Sequence, residues 1–302
     1  MLKPIERAWV VLQGLSVGDA FGGHFEFEFV DPERPKRTAQ VRQIPKGRWR
    51  YTDDTLMALS IYDVLRQDAA IVPEHLADSF ATRFDIGRGY GASMEELLQA
   101  IRAGGDWKTL SQSLFDGSGS FGNGSAMRVA PIGGYFADDL QAVVHHSRQS
   151  SLVTHTHPQA IDGAITIALA TAIAHQLAHS QQQPMFDNYW QPLLNLIPSG
   201  EIKQKLIQAS ELQDQTSPEA AATLLGNGRD ISALDSVPFA VWCTYQFLDS
   251  YEDALWNAIS VGGDADTIGA MVGGIVASYG GLKDIPSEWL TRRETLPNWI
   301  KD

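Results

Sequence analysis

Apolar positions recur along this chain mainly with the 3.6-residue period of an α-helix. Ile5, Ala8, Trp9, Leu12 and Leu15 fall near i, i+3, i+4, i+7 spacing and predict an amphipathic helix over 5–20. The stripe returns as Met57, Ile61, Val64 and Leu65 within 53–66, and as Ile268, Met271, Val272, Ile275 and Val276 within 264–279. Residues 158–178 open on Pro158, a favoured first helical residue, and continue with Ile161, Ile165, Ala168, Leu169, Ala172 and Ile173. Further helices are expected over 73–84, 92–103, 138–149, 201–212, 218–225 and 236–258. Two-residue alternation is scarce, and FEFEF at 25–29 is the best short strand. Residues 30–50, basic and proline-containing, read as a surface loop. The Gln- and Pro-rich stretch 179–200 reads as an irregular connection, inside one domain or between two helical lobes. No repeat of 20–50 residues is present. The expectation is an all-α domain spanning 1–302, with long functional loops.

Glycines interrupt this pattern at a fixed interval. Gly14, Gly18 and Gly22 recur every four residues, as do Gly269 and Gly273. On a helix this spacing clears one face of side chains. Mid-helix glycine costs about 1 kcal/mol against alanine, so close helix packing is the expected reason. Such packing would also bring the ends of these helices together around a site.

Composition bounds the class. The chain has 302 residues, 44% hydrophobic and 20% charged, which is enough for a large core and unlike a disordered or fibrous protein. Against 36 acidic residues stand 23 Lys and Arg, a net charge of −13. That balance argues against non-specific nucleic-acid or anionic-membrane partners. An anionic small molecule remains compatible where backbone N–H groups or a metal receive its charge. Cys243 is the only cysteine, so no intrachain disulfide forms, and a cytoplasmic location is expected. The N-terminus lacks a signal-peptide layout, and no uninterrupted apolar run nears the ~18 residues of a membrane span. Nothing has the form of a coiled-coil seam, and a monomer is expected.

The chemistry concentrates in four places. Thr52-Asp53-Asp54-Thr55 and Gly262-Gly263-Asp264-Ala265-Asp266-Thr267 each precede a predicted helix. One such cluster reads as a helix cap. Capping needs one side chain, however, and each cluster offers several. Brought together they would repel unless a cation lay between them, and hard oxygen donors suit Mg²⁺, Mn²⁺ or Ca²⁺ rather than zinc. Two similar clusters suggest a two-metal site. Next, Gly117-Ser118-Gly119-Ser120-Phe121-Gly122-Asn123-Gly124, ahead of an expected helix from about 125, offers N–H groups to an anion or serves as a flexible connection. It matches neither the Walker loop nor the dinucleotide fingerprint. Phe115 and Phe121 flank it and suit either base stacking or a core. Third, Asp19 to Glu28 sets acids in a glycine-rich bend beside aromatics, as acid or base or as solvated carboxylates. Fourth, Thr154-His155-Thr156-His157-Pro158 offers histidines for metal binding or for capping, without HExxH spacing.

In order, GLSVGDAFGGHFE, YTDDTLMAL, GSGSFGNGSAMRVAPIG, VTHTHPQAIDGA and VGGDADTIGAMVGGIVASYGG resemble the signature blocks of the ADP-ribosylglycohydrolase family, from about residue 10 to 281. The resemblance implies a compact orthogonal multi-helix bundle with a metal-binding cleft at helix N-termini, holding two Mg²⁺ (or Mn²⁺). It implies metal ligation by Thr52, Asp53, Asp54, Asp264, Asp266 and Thr267, and catalytic roles for Glu26, Asp53, Asp54 and Asp264. It implies ADP-ribose binding by Phe115, Gly119, Ser120, Phe121, Gly122, Asn123 and His155. The expected activity is hydrolysis of the C1″ bond joining ADP-ribose to a protein side chain. Alternatives are O-linked ADP-ribose (on serine, in poly(ADP-ribose), or as a 1″-phosphate) and a non-catalytic ADP-ribose-binding or immunity protein. Ser118 stands where arginine-type bacterial members tend to carry an acid, and the loop resembles the serine-type relatives.

Overall fold

A computed structural model describes residues 2–25 and 42–300. All of the FEFEF run after Phe25, most of the 30–50 loop and Glu26 lie outside the described residues. Those described form helices α1 (Pro4–Gly22), α2 (Asp53–Asp68), α3 (Pro73–Arg83), α4 (Ala92–Arg102), α5 (Trp107–Ser113), α6 (Ala130–Tyr135), α7 (Leu140–Leu152) and α8 (Pro158–His179). They continue as α9 (Gln191–Leu196), α10 (Glu201–Ser210), α11 (Pro218–Leu225), α12 (Ala233–Gln246), α13 (Tyr251–Ile259), α14 (Ala265–Gly280) and α15 (Ser287–Arg292). Among the described residues there is no β-strand, only two isolated bridges, Trp49 with Arg293 and Gly122 with Ser232.

The pair α1 and α14 is the centre of the fold, and glycine is what lets them touch. A Cβ placed on Gly18 would lie 2.7 Å from the Gly269 carbonyl carbon and nearer still to its oxygen. A Cβ on Gly273 would lie 2.5 Å from the Gly14 oxygen, and one on Gly22 would strike Ala265. The two backbones therefore pack without intervening side chains, and the four-residue glycine period is a packing device. Tyr251 on α13 donates its hydroxyl to Gly14 O at 2.6 Å and fixes a third helix to the pair.

α8 packs against α6, α7, α12 and α14. By length and mean hydropathy it could cross a membrane, although polar residues interrupt its apolar run. Its most apolar window is 89% buried inside the fold, so it is a core helix. At the foot of α1, Phe21 stacks on Trp289 at 4.2 Å and meets Trp256 edge-on at 4.9 Å.

Three expectations change. The helix expected over 236–258 is two, because Ser250 accepts from Asp253 N at 3.2 Å and donates to its carboxylate at 2.7 Å, starting a new helix at Tyr251. Residues 179–200 are not irregular throughout: a π-turn over Phe186–Trp190 runs into α9, anchored by buried Tyr189 and Trp190. Tyr189 hydrogen-bonds Thr244 at 2.8 Å. In place of a helix from about 125, a 3-10 turn (Asn123–Ser125) precedes α6 at Ala130.

Candidate functional site

The N-termini of α2 and α14 open into one cleft of about 710 Å³. Asp53 and Asp54 line it from α2, and Asp264, Asp266 and Thr267 from the start of α14. A cavity of this size suits a nucleotide-sized ligand.

Helix capping does not account for the acids. Thr52 caps α2 through its own hydroxyl, which accepts from Asp54 N at 3.4 Å. At α14 the N-cap residue is Asp264, yet its side chain makes no cap bond. Instead Asp264 Oδ2 accepts from Asn123 Nδ2 at 2.6 Å, and the same amide donates to Ser236 Oγ at 2.9 Å. The glycine loop is thereby tied to the second acidic cluster.

Asp19 is neither a surface carboxylate nor a free acid. It is buried within α1 and accepts from Thr52 N at 3.1 Å, Thr52 Oγ1 at 2.9 Å, Thr55 N at 3.0 Å and Thr55 Oγ1 at 2.5 Å. A carboxylate on one helix thus satisfies the open N–H groups of another and fixes where Asp53 and Asp54 sit. Burial pushes the Asp19 carboxyl up to about 6, against the pull of those four donors.

The site is short of positive charge. Burial, then the neighbouring charges of Asp19 and Asp264, pushes Asp53 up to about 7. Asp54 is raised well above the carboxylate range by burial and by Asp19, Asp53 and Asp264. Thr52 Oγ1 lies 2.9 Å from both Asp19 Oδ1 and Asp54 Oδ2, but a hydroxyl carries one proton. Asp54 Oδ1 is buried with no hydrogen-bond partner among the described residues. These carboxyls hold their protons unless a positive charge takes the protons' place. Among the described residues, no group of three His, Cys, Asp or Glu side chains forms an assembled metal-holding cluster.

A loop of Ser120, Phe121, Gly122, Asn123 and Gly124 also lines the cleft, its Asn123 against Asp264. Gly119 stands behind it at φ +75°, where a Cβ would meet the Thr156 hydroxyl. Phe115 and Phe121 are 48% and 42% exposed at the mouth, with ring centroids 5.8 Å apart, so the core alternative fails for both. Phe115 adopts a left-handed φ of +52°, an uncommon conformation for an aromatic residue. His155 is buried beside the loop and lines the cleft. His157, by contrast, caps α8, its Nδ1 accepting from Gln159 N at 3.2 Å.

Sequence reading missed two contributors. Arg128 is wholly buried in the cleft wall, with its guanidinium 4.5 Å from the Phe80 ring centre. A second loop, Gly228 to Ile231, closes the cleft beside the glycine loop: Asn123 N donates to Ile231 O at 3.2 Å and Ala233 N to Phe121 O at 3.1 Å. The repeated tripeptide Gly-Asn-Gly, at 122–124 and again at 226–228, was the available signal. Asn227 O accepts from Asp264 N at 3.2 Å, so both copies brace the same acid.

The ADP-ribosylglycohydrolase family model matches residues 2–302. The chain belongs to that family. Human ADP-ribosylhydrolase ARH3 is 30% identical, over 95% of this chain and 89% of the human protein. The Bos taurus ADP-ribosylhydrolase ARH3 is 31% identical over 95% and 88%. ADP-ribosylarginine hydrolase Tri1 of Serratia proteamaculans is 26% identical over 96% and 76%. A solved structure titled ADP-ribosylglycohydrolase-related protein complex superposes with a TM-score of 0.70 at 23% identity, over 97% of this chain and 94% of its own, and supports the all-α fold. ADP-ribosylglycohydrolases hydrolyse ADP-ribosyl conjugates, and a conjugate of ADP-ribose is the substrate class for this member of the family.

Proposed function

We propose that this chain releases ADP-ribose from a modified protein side chain by hydrolysis at C1″. One observation carries the reading: two carboxylate-bearing helix N-termini face one cleft that is also lined by a glycine loop with paired exposed aromatics. Phe115 and Phe121 suit an adenine ring, worth about 1–3 kcal/mol per stacked base. The backbone N–H groups of Ser120 and Phe121 suit the diphosphate, those of Gly122 and Asn123 being taken by Ser120 Oγ and Ile231 O. Holding those remote parts pins the reacting ribose near the acids.

The donor set fits two hard divalent cations, Mg²⁺ or Mn²⁺. Asp54 Oδ1 lacks a hydrogen-bond partner among the described residues, the crowded carboxyls of Asp53 and Asp54 call for a compensating positive charge, and every candidate ligand in Thr52, Asp53, Asp54, Asp264, Asp266 and Thr267 is an oxygen. Such ions, when bound, supply Lewis acidity and lower the pKa of bound water. The protein's part is to hold them. Asp19 and Asn123 orient the two acidic clusters, and bond cleavage that builds positive charge on the ribose is favoured among carboxylates. Glu26 is proposed to position or deprotonate the attacking water, or to gate access.

The test is mass spectrometry of an arginine-modified and a serine-modified peptide incubated with Mg²⁺. Loss of the whole ADP-ribosyl group from one of them supports the reading and names the acceptor class. Retention on both, with Mg²⁺ and with Mn²⁺, refutes it.

A further inference from the structure

Among the described residues the His155 ring pairs with one protein group, and that contact decides where its proton sits. Thr154 Oγ1 lies 2.7 Å from His155 Nδ1. The same hydroxyl accepts from Arg128 Nη2 at 2.8 Å. A guanidinium has donors and no acceptor, so Thr154 cannot direct its proton toward Arg128. The hydroxyl has one proton and no other acceptor among the described residues, which leaves Nδ1 to receive it. Arg128 is itself anchored: buried, it also donates to Ser150 O at 3.0 Å and lies over the Phe80 ring.

We propose that Arg128 and Thr154 are positioning residues that lock His155 as the Nε2–H tautomer, making it a hydrogen-bond donor into the cleft. The Nε2 edge runs along the glycine loop. A Cβ on Gly124 would lie 3.1 Å from Nε2, and one on Gly122 3.4 Å. Neither glycine has that atom, so the imidazole N–H reaches the space where a ligand passes the loop. No protein group among the described residues pairs with Nε2. The ligand atom that meets it is therefore an acceptor, a phosphoryl or ribose oxygen. Burial, with Arg128's charge behind it, holds the ring neutral, its pKa lowered to about 3, so the donor persists across the neutral range.

The ligand half of this inference rests on the proposed function; the tautomer half does not. Nitrogen-15 NMR of histidine-labelled, ligand-free protein is expected to show Nδ1 unprotonated and Nε2 protonated at His155. Thr154→Val removes the hydroxyl at nearly constant shape. It is expected to release the tautomer preference and weaken ADP-ribose binding about fivefold to tenfold, the worth of one hydrogen bond. Thr154→Ser should restore both. A proton on Nδ1 in the wild type, or an unaltered tautomer in Thr154→Val, overturns the relay. An altered tautomer with unaltered affinity overturns the donor role. Should ADP-ribose fail to bind the wild type, the functional reading falls, and the nitrogen spectrum still decides the relay.

Discussion

Gly18→Ala tests how the acidic clusters are brought together. In an ordinary helix this change stabilises by about 1 kcal/mol. Here the new Cβ would sit 2.7 Å from the Gly269 carbonyl carbon, against an ordinary contact of 3.4 Å, so the backbones must separate by at least 0.7 Å. Both obstructing groups are backbone, and the contacts at Gly14 and Gly22 brace the pair on either side, so rotamer change cannot relieve it. Overpacking of this kind costs about 3 kcal/mol at the upper end of its usual range. The net loss is about 2 kcal/mol, or about 3 °C in Tm for a chain of this length. The second effect is on function. Asp19 sits on α1 one residue beyond Gly18, and Asp264 and Asp266 begin α14, so separating the helices separates the two carboxylate groups. A displacement near 1 Å in a reacting constellation costs up to about 100-fold in rate. Urea unfolding and ADP-ribose release measured on the same preparation check both numbers. A Gly18→Ala protein as stable and as active as wild type would refute the argument that direct backbone contact between α1 and α14 aligns the site.

Asp264→Asn is expected to cut ADP-ribose release by at least about 100-fold and to abolish thermal stabilisation by Mg²⁺, while the metal-free Tm changes little because Asn123 can still donate to the new amide oxygen. The metal-free carboxylates of Asp53 and Asp19, at about 7 and about 6, keep protons in the folded chain that the unfolded chain has released. They therefore stabilise the metal-free fold at acid pH and lose that contribution as pH rises from about 4 through about 7. A cation must displace those protons, so the Tm gain from Mg²⁺ should grow between pH 5 and 8; a gain that is flat or absent in scanning calorimetry would count against a cation among these acids. Phe115→Ala should weaken ADP-ribose about tenfold and leave ribose 5-phosphate unaffected in calorimetric titration, and equal losses for both would rule out base stacking.

Helices were legible because their signals are local. A stripe at 3.6 residues and a proline at position 158 both act within one or two turns. Where the reading failed, the deciding interaction was also short-range but masked: Ser250 breaks a continuous apolar run, and Tyr189 and Trp190 anchor a stretch whose composition reads as loop. The sequence also showed two acidic clusters, a glycine loop and a histidine, each with a plain alternative as cap or connection. What it could not contain was their juxtaposition. Residues 53 and 264 share a cleft only because α1 and α14 meet at glycines, and Asp19 reaches from α1 to hold the start of α2. Whether an aspartate caps its own helix or turns to Asn123 depends on a partner 141 residues away in sequence. The buried Arg128 shows the same limit: its effect on His155 runs through Thr154, and a hydrogen bond between side chains leaves no periodic trace in the order of residues.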